Sequence, residues 1–181
     1  MTGIYRLRNV TPADKGLIRH WRKSDRIRAV MRSDRPIGRE EHDRWFGELM
    51  QRKDRLFFVF EKLGKPLGIM QFTNVSREDG TCSWGFYLGE KNLPRGTGTY
   101  LACLGLMQAF DIEGFRKVCA EVLSGNLASY RLHKKMGFRL EGCLRRHVKR
   151  GGGYEDVFLF AIFKEDWDRR KAAVASRLAR E

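Results

Sequence analysis

Two glycine-containing turns, each beside a predicted helix, constrain the fold of this chain more than any other feature. The first, Arg95-Gly-Thr-Gly-Thr99, opens an apolar helix, which is followed by a short apolar strand from Val118 to Val122. A second helix begins at Asn126 and closes at Gly137-Phe138. At a glycine turn that opens a helix, as the first one does, free backbone N–H groups and the helix dipole favour an anion. The pattern predicts an α/β enzyme that binds a phosphorylated cofactor, with His133 two turns inside the second helix.

Length and composition favour a single globular domain. The chain has 181 residues, of which 42% are hydrophobic. No apolar run approaches the roughly 20 residues of a membrane span, and the N-terminus lacks the basic-then-apolar pattern of a signal peptide. We therefore expect a cytoplasmic protein without membrane contact.

The cysteines and histidines predict neither disulfides nor a metal site. The four cysteines lie far apart with apolar or small neighbours, as free thiols in a reducing compartment do. The four histidines lack the spacing of metal ligands. We expect no metal.

The net charge of +14 favours a polyanionic partner. Nucleic acid, an anionic membrane surface and polyphosphate ligands all fit the sign of this charge. The basic residues are spread widely and form no single block interleaved with aromatics, which disfavours nucleic acid. A basic nucleic-acid-binding module stays open as the non-enzymatic alternative.

Hydrophobic periodicity and turn residues predict a mixed α/β order of elements. The predicted helices cover residues 12–24, 38–52, 96–112 and 126–136, with a looser segment over 25–35. The helix over 38–52 is expected to bury one apolar face formed by Trp45, Phe46, Leu49 and Met50. The predicted strands cover residues 4–10, 56–61, 67–72, 81–88, 117–123, 138–148 and 154–163. Gly85 predicts a bulge or a close approach of another backbone in its strand. Residues 1–164 are expected to form one domain, followed by a charged helical tail over 165–181.

This order of elements resembles the GCN5-related N-acetyltransferases (GNAT), which move an acetyl group from acetyl-CoA to an amine. Gly96 and Gly98 match the glycines of the family's pyrophosphate turn, and Leu93 stands where that signature has a polar residue. Asn126, Ser129, Leu132, Gly137 and Phe138 match the family's second motif at its intervals. The resemblance implies a mostly antiparallel sheet splayed at the fourth strand, with helices on both faces. It also implies acetyl-CoA as co-substrate and a homodimer.

The resemblance assigns cofactor binding to three segments. They are the fourth strand at Phe86, Tyr87 and Leu88, the turn Arg95, Gly96, Thr97, Gly98 and Thr99, and the helix start at Asn126 and Ser129. In the family, exposed N–H groups of the fourth strand pair with the pantetheine arm and with the acetyl carbonyl, where they stabilise the oxyanion.

Two expected catalytic side chains differ from the family pattern. His133 takes the place of the tyrosine that donates a proton to the leaving thiolate, and an imidazolium could do the same. The competing interpretation is that His133 only packs or hydrogen-bonds at the site. Many relatives carry a glutamate as general base on the fourth strand, where this chain has Ser83. The general base is unassigned from the sequence, and an acetyltransferase that binds CoA without turnover stays open.

The resemblance leaves several acceptors open. The N-terminal stretch from Trp21 to Phe46 resembles the UDP-amino-sugar N-acetyltransferases of pseudaminic acid biosynthesis, and this resemblance runs on over most of the chain. It implies that Arg22, Met31 and His42 contact a nucleotide. Each of the three also has an ordinary interpretation, on the helix surface, in the core or as a cap. The segment 141–156 resembles the N-terminal alanine acetyltransferases of ribosomal proteins and their polyamine-acetylating relatives. The basic charge favours the nucleotide sugar, because it repels a cationic polyamine.

Overall fold

A seven-stranded sheet with helices on both faces forms the frame of the protein in this computed structural model, which describes residues 4–52 and 54–178. The strands are β1 Tyr5–Asn9, β2 Leu56–Lys62, β3 Lys65–Ser76, β4 Thr81–Leu88, β5 Lys117–Leu123, β6 Arg139–Arg150 and β7 Gly153–Phe163. The helices are α1 Lys15–Lys23, α2 Asp25–Arg28, α3 Arg39–Gln51, α4 Thr97–Met107, α5 Leu127–Met136 and α6 Lys164–Leu178. A 3₁₀ turn, Pro12–Asp14, precedes α1, and a π turn, Gln108–Ile112, extends α4.

The sheet is antiparallel except at its centre. Its order is β1-β2-β3-β4-β5-β7-β6, and β4 and β5 are the parallel neighbours. Their pairing covers only three residue pairs and ends at Ser83 opposite Cys119. Beyond that point β4 continues to Leu88 with β3 on one side and, among the described residues, no strand on the other. The splay predicted at the fourth strand is therefore confirmed.

The two faces of the sheet have separate hydrophobic cores. The main core lies under α4, α5 and α6 and includes Leu101, Leu106, Met136, Phe160 and Trp167. The second core lies under α1, α2 and α3 and includes Ile18, Trp21, Phe46, Phe57 and Ile69. Because successive side chains of a strand point to opposite faces, Trp84 of β4 belongs to the main core and Tyr87 to the second.

Three expectations about local structure are corrected. The segment predicted to be loose contains the short helix α2, whose Ile27 is buried in the second core. Met50, expected on the buried face of its helix, is 43% exposed. The bulge predicted at Gly85 is wrong, since Gly85 pairs in register with Gln71 and the irregularity of this pair of strands falls between Thr73 and Ser76.

The C-terminal segment is helical, as expected, and packs against the rest of the protein. Trp167 and Val174 of α6 are buried in the main core. Residues 179–181 of the predicted tail lie outside the described residues. Of the helices that the structure describes, none has the length and apolar character needed to cross a membrane.

Two glycines in helices provide a test of this packing. A methyl group at Gly105 of α4 would press on Met70 and lie 3.2 Å from Cζ3 of Trp84, whereas Gly47 of α3 faces open space. We expect Gly105→Ala to destabilise the fold by about 1–3 kcal/mol through overpacking. Gly47→Ala should stabilise it by about 0.5–1 kcal/mol because the backbone loses less entropy on folding. Denaturant titration measures the change in the free energy of unfolding for each variant. Changes of the same sign in the two variants would contradict the packing described.

Candidate active site

A cavity of about 500 Å³ opens where β4 and β5 diverge. On the side of the main core its wall includes Trp84, Phe86, Asn126, Ser129 and His133. On the side of the second core its wall comes from α1, α3, β2, β3 and β4 and from the loop 29–38 between α2 and α3. The divergence of the two strands thus makes a passage that reaches both faces of the sheet.

The glycine turn lies beyond the cavity, at the far end of β4. Gly96 adopts φ 90°, a left-handed conformation that suits glycine, and caps the start of α4. An added Cβ at Gly98 would meet only Cδ1 of Leu88, at 3.9 Å, so the space in front of this turn is open. The first turn of a helix leaves N–H groups without helical partners. This geometry fits a pyrophosphate, and Arg95 adds a positive charge beside it.

The two threonines of the turn support it from inside. Thr97 is buried, and its hydroxyl donates to the carbonyl of Pro94 at 2.7 Å. Thr99 is also buried, and its Oγ1 accepts from Nζ of Lys135 at 3.3 Å. The contact between Thr99 and Lys135 links the start of α4 to α5. Both hydroxyls have protein partners, and the backbone N–H groups of Thr97 and Thr99 donate to the carbonyls of Pro94 at 3.2 Å and Gly96 at 2.8 Å. The two threonines therefore hold the turn in shape, and their predicted contacts with the cofactor stay predictions.

The start of α5 points into the cavity. Oδ1 of Asn126 accepts from the backbone N–H of Ser129 at 3.1 Å, which caps the helix as its sequence predicts. Both residues line the cavity on the side of the main core, as do Phe86 and, two turns into α5, His133. The structure therefore brings Asn126, Ser129 and Phe86, three of the residues predicted for cofactor binding, to the same side of the passage.

The three residues expected to contact the acceptor also meet in this cavity. Arg22 reaches it from α1, Met31 from the loop 29–38 and His42 from α3. His42 is only 1% exposed, and neither ring nitrogen has a hydrogen-bond partner in the part of the chain that the structure describes. Burial lowers the pKa of the His42 imidazole. These three residues are on the side of the second core, opposite α5.

Tyr87 contributes a second buried polar group to that side. Its hydroxyl is buried without a partner among the described residues, and burial raises the pKa of the Tyr87 side chain. An unpaired buried hydroxyl costs free energy, typically about 1–3 kcal/mol. His42 and Tyr87 together therefore provide unsatisfied hydrogen-bonding groups for a polar ligand. Tyr87 was expected at the cofactor through its backbone, and its side chain lies on the side of the second core.

The glycine at position 85 leaves room for a neighbouring side chain. An added Cβ at Gly85 would lie 3.1 Å from Nε2 of Gln71, its partner on β3. Both residues line the cavity. Gly85 thus gives room to the side-chain amide of Gln71, whereas the sequence led us to expect the close approach of another backbone.

The carboxylates of the cavity come from other elements than the fourth strand. Ser83 does not line it, and its hydroxyl accepts from Nδ2 of Asn74 at 3.4 Å. Glu121 of β5 does line it, as does Glu41 of α3. Neighbouring positions of β5, Ala120 and Val122, are in the main core, so Glu121 projects to the opposite face. Glu121 was not identified from the sequence, although a glutamate inside the apolar run of a buried strand was a signal that could have found it.

Both carboxylates already have arginine partners. Nη1 of Arg32 lies 2.6 Å from Oε2 of Glu121. Nη1 of Arg35 donates to Oε2 of Glu41 at 2.8 Å, and this hydrogen bond holds the pKa of Glu41 below its usual range. Arg55, a further cavity residue, has no ion-pair partner among the described residues. No sequence pattern singled out Arg32 or Arg55.

The loop 29–38 borders the cavity on the side of the second core and contacts the β6–β7 hairpin. Besides its pairing with Glu121, Arg32 approaches Nε2 of His147 at 3.3 Å. Nη2 of Arg150 donates to the carbonyl of Ala29 at 2.9 Å, and the N–H of Gly151 donates to Asp34 at 3.2 Å. The loop therefore spans the gap between the two halves of the sheet.

His133 is held as a neutral ring by two hydrogen bonds. Its Nε2 accepts from the indole N–H of Trp84 at 3.0 Å, and its Nδ1 lies 2.8 Å from the carbonyl of Ser129. The tautomer that satisfies both partners carries its proton on Nδ1. The ring is 3% exposed and packs among Trp84, Phe86, Phe138 and Phe160.

This geometry argues against the proton-donor role expected from the sequence. A proton on Nε2 would point at the Trp84 N–H, so two donors would face each other. Burial also lowers the pKa of His133, since removal of water disfavours the charged ring. The competing interpretation, that His133 hydrogen-bonds at the site, agrees with the structure.

The buried neutral ring predicts a pH effect on stability. The pKa of His133 lies below its ordinary value of 6.5, so on acidification below that value the unfolded chain gains a proton that the folded protein resists. Stability should be fully present above pH 6.5 and fall below it, by at most about 1.4 kcal/mol per pH unit for one group.

Denaturant titrations of the wild type and His133→Gln between pH 7.5 and 5 measure this effect. The wild type should lose stability more steeply, because His42 contributes equally to both proteins. Parallel curves would show that His133 titrates alike in the folded and unfolded states.

Comparison with known proteins agrees with this fold. The family model described as Acetyltransferase (GNAT) domain matches residues 5–139. The chain is 30% identical over 126 residues to the SPbeta prophage-derived uncharacterized N-acetyltransferase YokL of Bacillus subtilis (strain 168). That match covers 68% of this chain and 70% of the relative.

Solved structures share the architecture. A spermidine N-acetyltransferase from Vibrio cholerae in complex with CoA and spermine superposes with a TM-score of 0.84 at 18% identity, covering 90% of this chain and 97% of that chain. A GCN5-related N-acetyltransferase from Brucella melitensis superposes with a TM-score of 0.80 at 23% identity, covering 98% of this chain and 84% of that chain. At these identities the similarity establishes the fold. Together with the family match, it shows that the chain belongs to the GNAT family and is an acetyl-CoA-dependent N-acetyltransferase.

Proposed function

We propose that this enzyme acetylates the primary amine of a small acceptor that carries anionic groups, namely the 4-amino group of a UDP-linked amino-dideoxy sugar in a pathway of the pseudaminic acid type. One observation carries the proposal. The two carboxylates of the cavity are already paired with Arg35 and Arg32, whereas Arg22 and Arg55 have no ion-pair partner in the described part of the chain. The charge that remains available to an acceptor in this part of the cavity is therefore positive, and arginine side chains bind phosphate oxygens well.

The buried polar groups of the acceptor side support the same class of ligand. His42 and the Tyr87 hydroxyl lack partners and lie in the wall that Arg22 and Met31 share. A nucleotide sugar has hydroxyl and carbonyl groups that can satisfy them and an apolar base face that can contact Met31. On this proposal Arg22 binds phosphate, His42 donates to or stacks on the nucleotide, and Met31 forms an apolar wall.

The polyamine alternative has one supporting observation, the fold similarity to the spermidine N-acetyltransferase from Vibrio cholerae. Electrostatics oppose it here. A polyamine would meet Arg22 and Arg55, which have no ion-pair partner among the described residues, and two carboxylates that are each paired with an arginine, so its approach would be unfavourable. An N-terminal alanine of a protein is the remaining acceptor. Because the chain is an N-acetyltransferase, the alternative of a nucleic-acid-binding module is set aside.

The residues of the site suggest how the transfer is assisted. Acetyl-CoA supplies an activated thioester. The glycine turn at Gly96–Gly98 binds its pyrophosphate, and the free edge of β4 from Phe86 to Leu88 orients the extended arm and polarises the thioester carbonyl. The acceptor amine must lose a proton as it attacks. Glu121, on the acceptor face of β5, takes this proton directly or through a water molecule.

A panel of amines tests the acceptor. Release of CoA thiol is measured with acetyl-CoA and a UDP-4-amino sugar, spermidine or an alanine-ended peptide. We expect turnover with the nucleotide sugar. Arg22→Gln and Arg55→Gln should each raise its KM about tenfold or more, the effect of one charged hydrogen bond. Arg44→Gln, at an exposed position of α3 outside the cavity, is the matched control. Activity with spermidine or the peptide and none with the sugar would overturn the proposed acceptor.

A separate variant tests the general base. Glu121→Gln keeps the shape of the side chain and removes its ability to accept a proton, so kcat should fall about 100-fold or more. Glu141→Gln, an exposed glutamate of β6 outside the cavity, should leave kcat unchanged. If Glu121→Gln retained the wild-type kcat, proton removal would have to occur elsewhere.

A further inference from the structure

Trp84 and His133 lie at the end of the passage that is farther from the glycine turn. The turn lies beside Leu88, at the carboxyl end of β4, and the point where β4 leaves β5 is at Ser83. An extended arm that starts at the turn and follows the free edge of β4 reaches Trp84 after four residues, or roughly 13 Å. The thioester end of the donor therefore arrives where the two strands meet, beside Trp84 and His133.

These two side chains form one rigid wall. The indole N–H of Trp84 donates to Nε2 of His133 at 3.0 Å, and both side chains are at least nine-tenths buried. Phe138 lies behind them, with its ring centroid 4.9 Å from the centroid of each. Space beside the indole is also limited by α4, since a Cβ added at Gly105 would lie 3.2 Å from Cζ3 of Trp84. Neither ring can turn aside without breaking the hydrogen bond and disturbing the main core.

His133 is fixed in turn by its own helix. Its Nδ1 donates to the Ser129 carbonyl one turn earlier at 2.8 Å. The imidazole thus joins α5 to β4 across the main-core side of the passage. Loss of the imidazole would remove the hydrogen-bond partner of Trp84 and open space at the end of the passage.

We propose that the hydrogen-bonded pair of His133 and Trp84 closes the acyl end of the donor channel and selects acetyl-CoA over donors with longer acyl chains. His133 is a positioning residue in this account, because it acts by holding the indole in place. The inference rests on the part of the proposed function that lays the donor along β4, and it is independent of the acceptor.

Binding of acetyl-CoA, propionyl-CoA and butyryl-CoA, measured by calorimetry without acceptor, tests the inference. We expect the wild type to bind butyryl-CoA at least about tenfold more weakly than acetyl-CoA, because the extra methylenes would overfill the space in front of a rigid wall. In His133→Ala the difference should shrink to about threefold or less, with acetyl-CoA affinity little changed. His133→Gln offers an amide oxygen to Trp84 and an amide N–H to Ser129, so it should keep the wild-type preference.

Several outcomes would overturn the inference. Equal affinity of the wild type for the three donors excludes selection, whatever the variants do. An unchanged preference in folded His133→Ala assigns selection to other residues. Trp84→Phe, which removes the indole N–H and keeps an aromatic ring, replaces His133→Ala as the test if that variant does not fold. Gly98→Glu should abolish binding of all three donors, and unchanged binding in this variant would contradict the proposed path of the donor. An error in the proposed acceptor would show only in the transfer assay, because the binding measurements contain no acceptor.

Discussion

The early end of the pairing between β4 and β5 is the constraint on which the site depends. Three residue pairs hold the strands together, and from Trp84 onward their separation leaves backbone groups of β4 free and opens a passage through the sheet. Each face is closed by its own hydrophobic core, so the gap persists in the folded protein. Donor and acceptor can therefore approach from opposite faces and meet between the strands.

The passage has different chemistry at its two faces. On the side of the main core, aromatic rings and the start of α5 make an apolar wall with few free polar groups. On the side of the second core, the wall contains Arg22 and Arg55, which have no ion-pair partner among the described residues, and the buried side chains of His42 and Tyr87. An apolar wall suits the arm of the donor, and a positive wall suits an anionic acceptor. Glu121 projects toward the side of the second core, where the proposed acceptor amine would lose its proton.

Local sequence patterns predicted the frame of the fold and much of the cofactor side. Gly96 and Asn126 signalled their helix starts through backbone chemistry that depends on a few neighbours. Where tertiary contacts decide, the sequence was less informative. The partner of His133 lies 49 residues away at Trp84, so its protonation state could not be predicted from an isolated histidine. Arg55 and Arg32 reach the cavity from loops, and only the fold brings them together with Glu121.

Backbone amide shifts on addition of CoA, followed by NMR, test the central claim that the donor lies in the gap between β4 and β5. The account predicts the largest changes at Phe86 to Leu88 on the free edge of β4 and at Gly96 to Thr99, with smaller ones at the start of α5. Little change is expected for β1 and β2, which lie beyond β3. If the β4 and glycine-turn amides kept their shifts at saturating CoA, the donor would bind elsewhere and the account of the passage would be contradicted.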